Sequence, residues 1–351
     1  MRNTGTRGYS GYRGRRPGSK RWLVLLLALL LLAALASLAA QHYMVYDKDG
    51  SYHFELPWSK TRGNAQRPLL RGARPELEIV IERPDAAPVL PLHAQELNAD
   101  ALDGSMSQAL KALPEDVNAV AVRLRDSDGA LLYPSALNEA QEAKAVKGDQ
   151  TASDAIRELT GSGYYTIARL SALHDSLFSV AHKAEAGVQQ KKYAGQLWYA
   201  PDSTFYLAPE KELTRQYLAH IAAEVSALGF DELLFDEFGY PSTGRLNNIQ
   251  TADREMTQEE ALALLADNLR EPLLGTDVKL SLLLDEKTVL DGSNAKTGQK
   301  LADLAVRFDR IYVPTTEDKI PELLAALADY TAELVPVLNA APAEGAYLVT
   351  P

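Results

Sequence analysis

Four carboxylates stand where apolar, strand-like runs end. Asp236-Glu237 close the run 230–235, just ahead of Gly239 and Pro241, and Asp285-Glu286 close the run 278–284. Two carboxyl groups facing each other can drive hydrolysis, one protonated to donate a proton and one ionised to attack or to activate water. A parallel strand that carries an acid at its carboxyl end holds it on a rigid support. Neighbouring residues on a strand point to opposite faces, so only one member of each doublet is expected in a site. Acids at strand ends also cap the next helix or pair with Lys and Arg. For Asp285-Glu286-Lys287 that structural reading is the stronger one.

Other residues could assist. Arg125 and Arg169 lie near the ends of apolar runs, where a guanidinium is costly to bury without a partner. Asp236 and Asp126 are the partners expected for them, and an ion pair that only braces the fold is an equal alternative. His174 and His182 are eight residues apart, which fits no common zinc motif, so they are expected to be solvated loop residues. Asp47-Lys48-Asp49-Gly50 starts like a calcium loop, but no ligands follow at the required spacing, and it reads as a turn. Nothing in the sequence calls for a metal or an organic cofactor.

The elements that must position these groups alternate. Runs 78–81, 88–92, 118–125, 164–170, 230–235, 278–284, 309–313 and 333–338 read as strands, with a thin last repeat at 346–349. Helical patterns fall at 105–113, 153–160, 210–228, 257–270, 297–307 and 320–330. Strands separated by helices demand parallel crossovers. With no glycine-rich dinucleotide turn, the pattern favours a (β/α)8-type TIM barrel over a doubly wound sheet, one that is irregular or incomplete at its last repeat. Residues 171–209 form a connection long enough to be functional.

The first part of the chain reads differently. Residues 1–21 carry seven Lys and Arg and no acid, as a disordered tail does, and residues 22–40 are apolar apart from Ser37. Nineteen such residues can cross a bilayer as one helix. Basic residues stand only before the run, so the expectation is a single-pass anchor with its amino terminus in the cytoplasm and the rest exported. Secretion after cleavage at the small-x-small site 37–39 is the alternative. Residues 41–58 read as a hairpin, 59–75 as a linker, and 76–351 as the barrel.

Without the tail, 29 Lys and Arg face 47 Asp and Glu, a formal net charge of −18. That balance argues against nucleic acid as a partner of the exported part and leaves residues 22–40 as its contact with lipid. There is no cysteine, so core burial alone must hold the domain. The sequence sets no oligomeric state.

From Trp198-Tyr-Ala-Pro, through Leu207-Ala-Pro, a helix with Tyr217 and Glu224, and Leu228-Gly-Phe-Asp-Glu, to Phe235-Asp-Glu-Phe-Gly-Tyr-Pro, the chain resembles a glycoside-hydrolase-like domain family long catalogued as a domain of unknown function. The resemblance covers most of 88–340. It implies a TIM barrel related to the amylase-like hydrolases and carbohydrate cleavage, and it places Asp236 on the family's acidic residue at the end of the fourth-type strand. Glu237 and Gly239 depart from the pattern, which usually has an aromatic and an Arg there.

On that basis Asp236 is the expected nucleophile or base. Asp285 or Glu286 is its partner, and Glu237 is set aside by strand alternation. Arg125, Asp126 and Arg169 become candidate sugar contacts, and Trp198 and Tyr199 candidate stacking faces for a pyranose, with stapling of the long loop to the barrel as the equal alternative. The function so implied is processing of a cell-surface polysaccharide, with a non-catalytic glycan-binding protein on the same barrel as the rival reading.

Overall fold

The computed structural model describes residues 91–351, apart from 194 and 252–254, and the backbone of two short strands, Met44–Tyr46 and Tyr52–Phe54. The chain divides into two units, residues 1–83 and 84–351. In the first, the two short strands pair antiparallel, Met44 opposite Phe54 and Tyr46 opposite Tyr52, as the Asp/Gly turn between them implies. The tail 1–21, the apolar run 22–40, the linker 59–75 and the expected strand 78–81 lie outside the described residues. Among the described residues no helix is long and apolar enough to cross a membrane.

The second unit is a closed barrel of eight parallel strands in sequential order. They are β1 (His93–Glu96), β2 (Ala119–Arg125), β3 (Tyr165–Ser171), β4 (Glu232–Asp236), β5 (Lys279–Leu283), β6 (Arg310–Pro314), β7 (Glu333–Leu338) and β8 (Tyr347–Val349). The thin last repeat is enough to close it. Tyr347, Leu348 and Val349 pair with His93, Ala94 and Gln95 on one side, and β8 pairs with β7 on the other. The irregularity lies in the crossover, because residues 339–346 join β7 to β8 without a helix. Of the expected strand 88–92, residues 88–90 lie outside the described residues, and 91–92 precede β1, which starts at His93 after Pro91, a residue with no N–H for a ladder.

Helices wrap the barrel where the 3.6-residue pattern is strong. Helix α1 (Met106–Lys111) and helix α2 (Gln150–Thr160) follow β1 and β2; Asp149 caps α2 by accepting from the backbone N–H groups of Thr151 and Ala152. Helix α3 (Ser176–Ala181) and helix α4 (Glu212–Ala227) follow β3, and helix α5 (Gln258–Arg270) follows β4 behind a Thr257–Glu260 capping box. Helix α6 (Leu301–Leu304) is far shorter than the expected 297–307, because a small hairpin, Ser293–Asn294 with Gln299–Lys300, takes up the chain before it. Helix α7 (Ile320–Leu327) precedes β7.

Strand alternation separates two cores. Val120, Val122, Leu170, Leu233 and Phe235 face outward against the helices, and Ala94, Ala119, Ala121, Ile167, Leu234, Tyr312 and Val335 fill the barrel. Polar groups close the interior at both ends. At the amino-terminal end of the strands Glu232, wholly buried, accepts from the Tyr165 hydroxyl at 2.9 Å, the Tyr312 hydroxyl at 2.8 Å and the Arg310 guanidinium. At the carboxyl-terminal end stand Glu96, Arg123, Arg169 and Asp236.

Candidate active site

Asp236 is the last residue of β4 and points inward by the same alternation that buries Leu234 and Glu232. Its side chain is 5% exposed, and a single oxygen, Oδ2, accepts from Arg123 Nη2 at 2.9 Å and from Arg169 Nε at 2.7 Å. The two arginines are register partners on β2 and β3, so the sheet sets the clamp. Arg169 also donates through Nη1 to Glu96 Oε2 at 2.6 Å. Burial lowers the Arg169 pKa, but the charges of Asp236 and Glu96 outweigh burial and hold it above its usual value. The other oxygen of Asp236, Oδ1, is buried and has no hydrogen-bond partner among the described residues. A buried carboxylate oxygen left open is costly, and at a strand's carboxyl end it points to a reacting group.

A cavity of about 320 Å³ is lined by Arg123, Arg169, Tyr206, Asp236, Glu237 and Asp285, with Gly239 and Gln299 along one wall. Glu237 belongs to it, against the expectation from strand alternation. Its backbone leaves the strand in the left-handed region, φ +50°, which turns the side chain back to the mouth. There Ser171 Oγ donates to Glu237 Oε2, and His174 Nδ1 lies 3.3 Å from Oε1. Burial raises the Glu237 carboxyl, but the hydrogen bonds from His174 and Ser171 prevail and hold it below the ordinary value. The bond to Glu237 in turn lifts the His174 imidazole above its own.

For the second doublet alternation holds. Asp285 lines the cavity, whereas Glu286 starts the short helix Glu286–Leu290 and accepts from Thr315 Oγ1 at 2.5 Å, outside it. Glu286 is therefore corrected from catalytic partner to helix start.

The arginine expectations divide. Arg169 pairs with Asp236 as expected. Arg125 does not, because the β2–β3 register shifts between Arg123 and Arg125 and turns Arg125 outward. It is fully buried, bonded to Asp175 and to the carbonyls of Ser171 and Ala172, and its guanidinium lies 5.8 Å from the Tyr217 ring centroid. Asp126 folds back on its own loop, where Oδ1 accepts from the N–H groups of Asp128 and Ala130.

Trp198 is 2% exposed and its Nε1 donates to the Arg245 carbonyl at 3.0 Å, so the indole pins the long loop to the segment after β4. Tyr199 is half-exposed and, with Trp198, Lys192, Tyr193 and Arg245, lines a separate cavity of about 540 Å³. Tyr206 stands between the two. It lines the Asp236 cavity, stacks on His174 at 4.6 Å and meets the Trp198 ring edge-on at 6.2 Å.

Sequence reasoning passed over Arg123, Glu96 and His174. Arg123 and Glu96 carried a usable signal, since each is a charged residue at an inward position of a strand that is otherwise apolar or small on that face. His174 is 14% exposed and held on both ring nitrogens, so the solvated-loop expectation is corrected for it. His182 packs on the Phe178 ring at 4.4 Å with Nε2 buried, and is likewise not a solvated residue. Among the described residues no group of three or more His, Asp or Glu side chains is arranged to hold a metal ion.

Residues 98–313 match the family described as "Putative glycosyl hydrolase domain". The chain belongs to this family. No curated protein matches the chain. Among solved structures, the glycoside hydrolase domain of PgaB (BpsB) from Bordetella bronchiseptica is 15% identical with a TM-score of 0.50, over 72% of this chain and 84% of that one. A hypothetical protein from Ruminiclostridium thermocellum is 22% identical with a TM-score of 0.45, over 54% of this chain and 96% of that one. The GH20 exo-β-N-acetylglucosaminidase from Vibrio harveyi is 10% identical with a TM-score of 0.48, over 72% of this chain but only 42% of its own length. At such identities the Bordetella match attests the barrel fold and no more. A side chain at Gly239 would be crowded, because a Cβ there would lie 3.0 Å from Thr297 Cβ and 3.2 Å from Gln299 Nε2.

Proposed function

We propose that this protein hydrolyses glycosidic bonds of a polysaccharide at the cell surface, held to the membrane by residues 22–40. The observation that carries the reading is the asymmetry of Asp236. One oxygen is locked by two guanidiniums, the other is buried without a hydrogen-bond partner among the described residues, and the residue lines a cavity that holds further carboxyl groups.

Glycosidic cleavage needs that division of labour, with one carboxylate to attack the anomeric carbon or activate water and a second carboxyl to protonate the departing oxygen. The clamp fixes the direction of Oδ1 and keeps its charge from being hydrated freely, as preorganised catalysis requires. Glu237 and Asp285 line the same cavity and are the two candidates for the second role. Family membership supports the reading, and the acidic remainder of the chain suits a neutral or basic glycan better than a polyanion. The apolar run after a basic tail supports the anchor and the exported barrel.

The test is incubation of the full-length chain with a broad panel of glycans, with release of reducing ends as the readout and Asp236→Asn as the control. Turnover that disappears in the variant while the protein stays folded supports the enzyme. Glycan retention without turnover, equal in the two proteins, supports the binding protein instead.

A further inference from the structure

The contacts of His174 reveal where a proton is kept. Thr204 Oγ1 lies 2.7 Å from Asp202 Oδ1 and 2.6 Å from His174 Nε2. A hydroxyl has one hydrogen. The Asp202 carboxylate, held below its usual pKa by the Thr204 hydroxyl and N–H, only accepts, so the Thr204 hydrogen points to it. Thr204 must then accept from His174, which places a hydrogen on Nε2. The other ring nitrogen, Nδ1, faces Glu237 Oε1 at 3.3 Å. A bare imidazole nitrogen and a carboxylate oxygen are both acceptors and do not bond. The contact exists only if a proton sits in it, on His174 as a cation or on Glu237 as an acid.

We propose that Glu237 is the proton donor of the Asp236 cavity and that His174, oriented by Thr204 and Asp202, stores the proton Glu237 delivers. The proposal rests on the hydrolytic reading above and chooses between its two candidate acids. Ser171 fixes Oε2 of Glu237, the left-handed backbone aims the side chain into the cavity, and Tyr206 stacks on the His174 ring. The charged and titratable groups that face the pair are Asp202 and Asp128 on the two flanking loops, Tyr206, and the Asp236–Arg123–Arg169 cluster with Asp285 along the cavity wall.

At rest the pair is His174 cation and Glu237 anion. A substrate that closes the cavity takes the pair out of water, where two charges are disfavoured and the neutral arrangement, imidazole and carboxylic acid, gains. The proton then moves from Nδ1 to Glu237, and Glu237 passes a proton to the glycosidic oxygen. As the C–O bond breaks, its electron pair stays on that oxygen, which leaves as an alcohol. Water supplies the hydroxyl to the sugar carbon, and its remaining proton restores the pair. His174 is a positioning residue, and Glu237 is the group that touches substrate.

Two measurements on the full-length protein test this. In the first, nitrogen-15 NMR follows the His174 ring through a pH titration. The wild-type ring should be protonated at Nε2 across the titration and titrate above ordinary histidine, and Glu237→Gln should bring its midpoint down by about one unit. A midpoint unmoved by Glu237→Gln overturns the shared proton, whether or not the protein is an enzyme. In the second, His174→Gln is compared with wild type on a glycan that has an alkyl leaving group and on dinitrophenyl glycosides, whose leaving group needs no proton. We expect a loss of about 100-fold on the first and less than about threefold on the second, with the alkaline limb of the glycan profile displaced to lower pH. Equal losses on both substrates, or an unmoved limb, overturn proton delivery through His174. Absence of turnover in wild type on every substrate removes the hydrolytic reading and the donor role together, while the NMR titration still decides whether the pair holds a proton.

Discussion

The two ends of the barrel each bury a carboxylate beneath arginine, and they use it in opposite ways. At the amino-terminal end Glu232 has both oxygens occupied, Oε1 by the Tyr312 hydroxyl and Oε2 by Tyr165 and Arg310, and Arg310 reaches on to Glu333 at 2.9 Å. Burial first, and then the charge of Glu232, push the Tyr165 and Tyr312 hydroxyls far above their usual pKa, so both remain donors. At the other end Asp236 receives two guanidiniums on Oδ2 and nothing on Oδ1. A satisfied cluster plugs a barrel, whereas a half-satisfied one spends stability to keep an oxygen available. On the proposed reading, the same pairing of residue types is structural or reactive according to whether its last lone pair is filled.

Substitutions at the two ends should separate these roles. The largest effect is expected for Asp236→Asn, which removes the open carboxylate. Turnover should fall by about 10⁴-fold or more, read as initial rates of reducing-end release. Glu232→Gln should do the reverse. It leaves Arg310 with only the exposed Glu333 as a charged partner and should cost about 1–3 kcal/mol in a denaturant titration, with the rate per folded molecule unchanged. Arg169→Lys keeps a charge but loses the fork that serves Asp236 and Glu96 together, and a fall in turnover of about 10- to 100-fold is expected.

A third buried pair, Arg125 with Asp175, tests whether lying towards the active end is enough. Gly129 sits against it at φ +90°, where an added Cβ would come 2.2 Å from Asp175 Cγ. Gly129→Ala should cost about 1–3 kcal/mol of stability and leave turnover of the folded protein alone.

The smallest effect is a pH dependence of stability. Glu237 is depressed, so its contribution is present above the unfolded value near 4.5 and lost as pH falls through the folded one. His174 is raised, so its contribution is complete below the unfolded value near 6.5 and lost as pH rises through the folded one. The pair therefore stabilises most between those two values. The difference in melting temperature between wild type and His174→Gln should be greatest in that window and shrink on both sides of it.

Much of this was readable in the chain, and the failures share a cause. The barrel followed from the alternation of short apolar runs with helical patterns, and Asp236 from its place at the end of a buried strand. Period-2 reasoning allowed only one of Asp285 and Glu286 in the site without choosing between them; Asp285, extended at the end of β5, lines the cavity, and Glu286 begins a helix. It failed at Glu237, because one left-handed residue reverses the direction of the side chain. It failed again at Arg125, which a register shift in β2 turns outward although Arg123, two residues earlier, faces inward. Both are local backbone departures at strand ends, which periodicity cannot register. Trp198 left a different choice, between stacking on a sugar and stapling the loop. Its type suits stacking on a sugar, but the fold spends the ring on holding a loop. His174 gained its meaning only when loop 171–209 returned over the barrel mouth to bring Thr204 and Asp202 beside it.

The central claim is that the open oxygen of Asp236 performs hydrolysis, and the most direct measurement is reducing-end release from the glycan panel by full-length wild type and Asp236→Asn, with melting temperatures recorded in parallel. The account expects release by wild type, none above background by the variant, and melting temperatures within a few degrees of each other. Equal release by the two proteins, or none by either while both are folded, would contradict it.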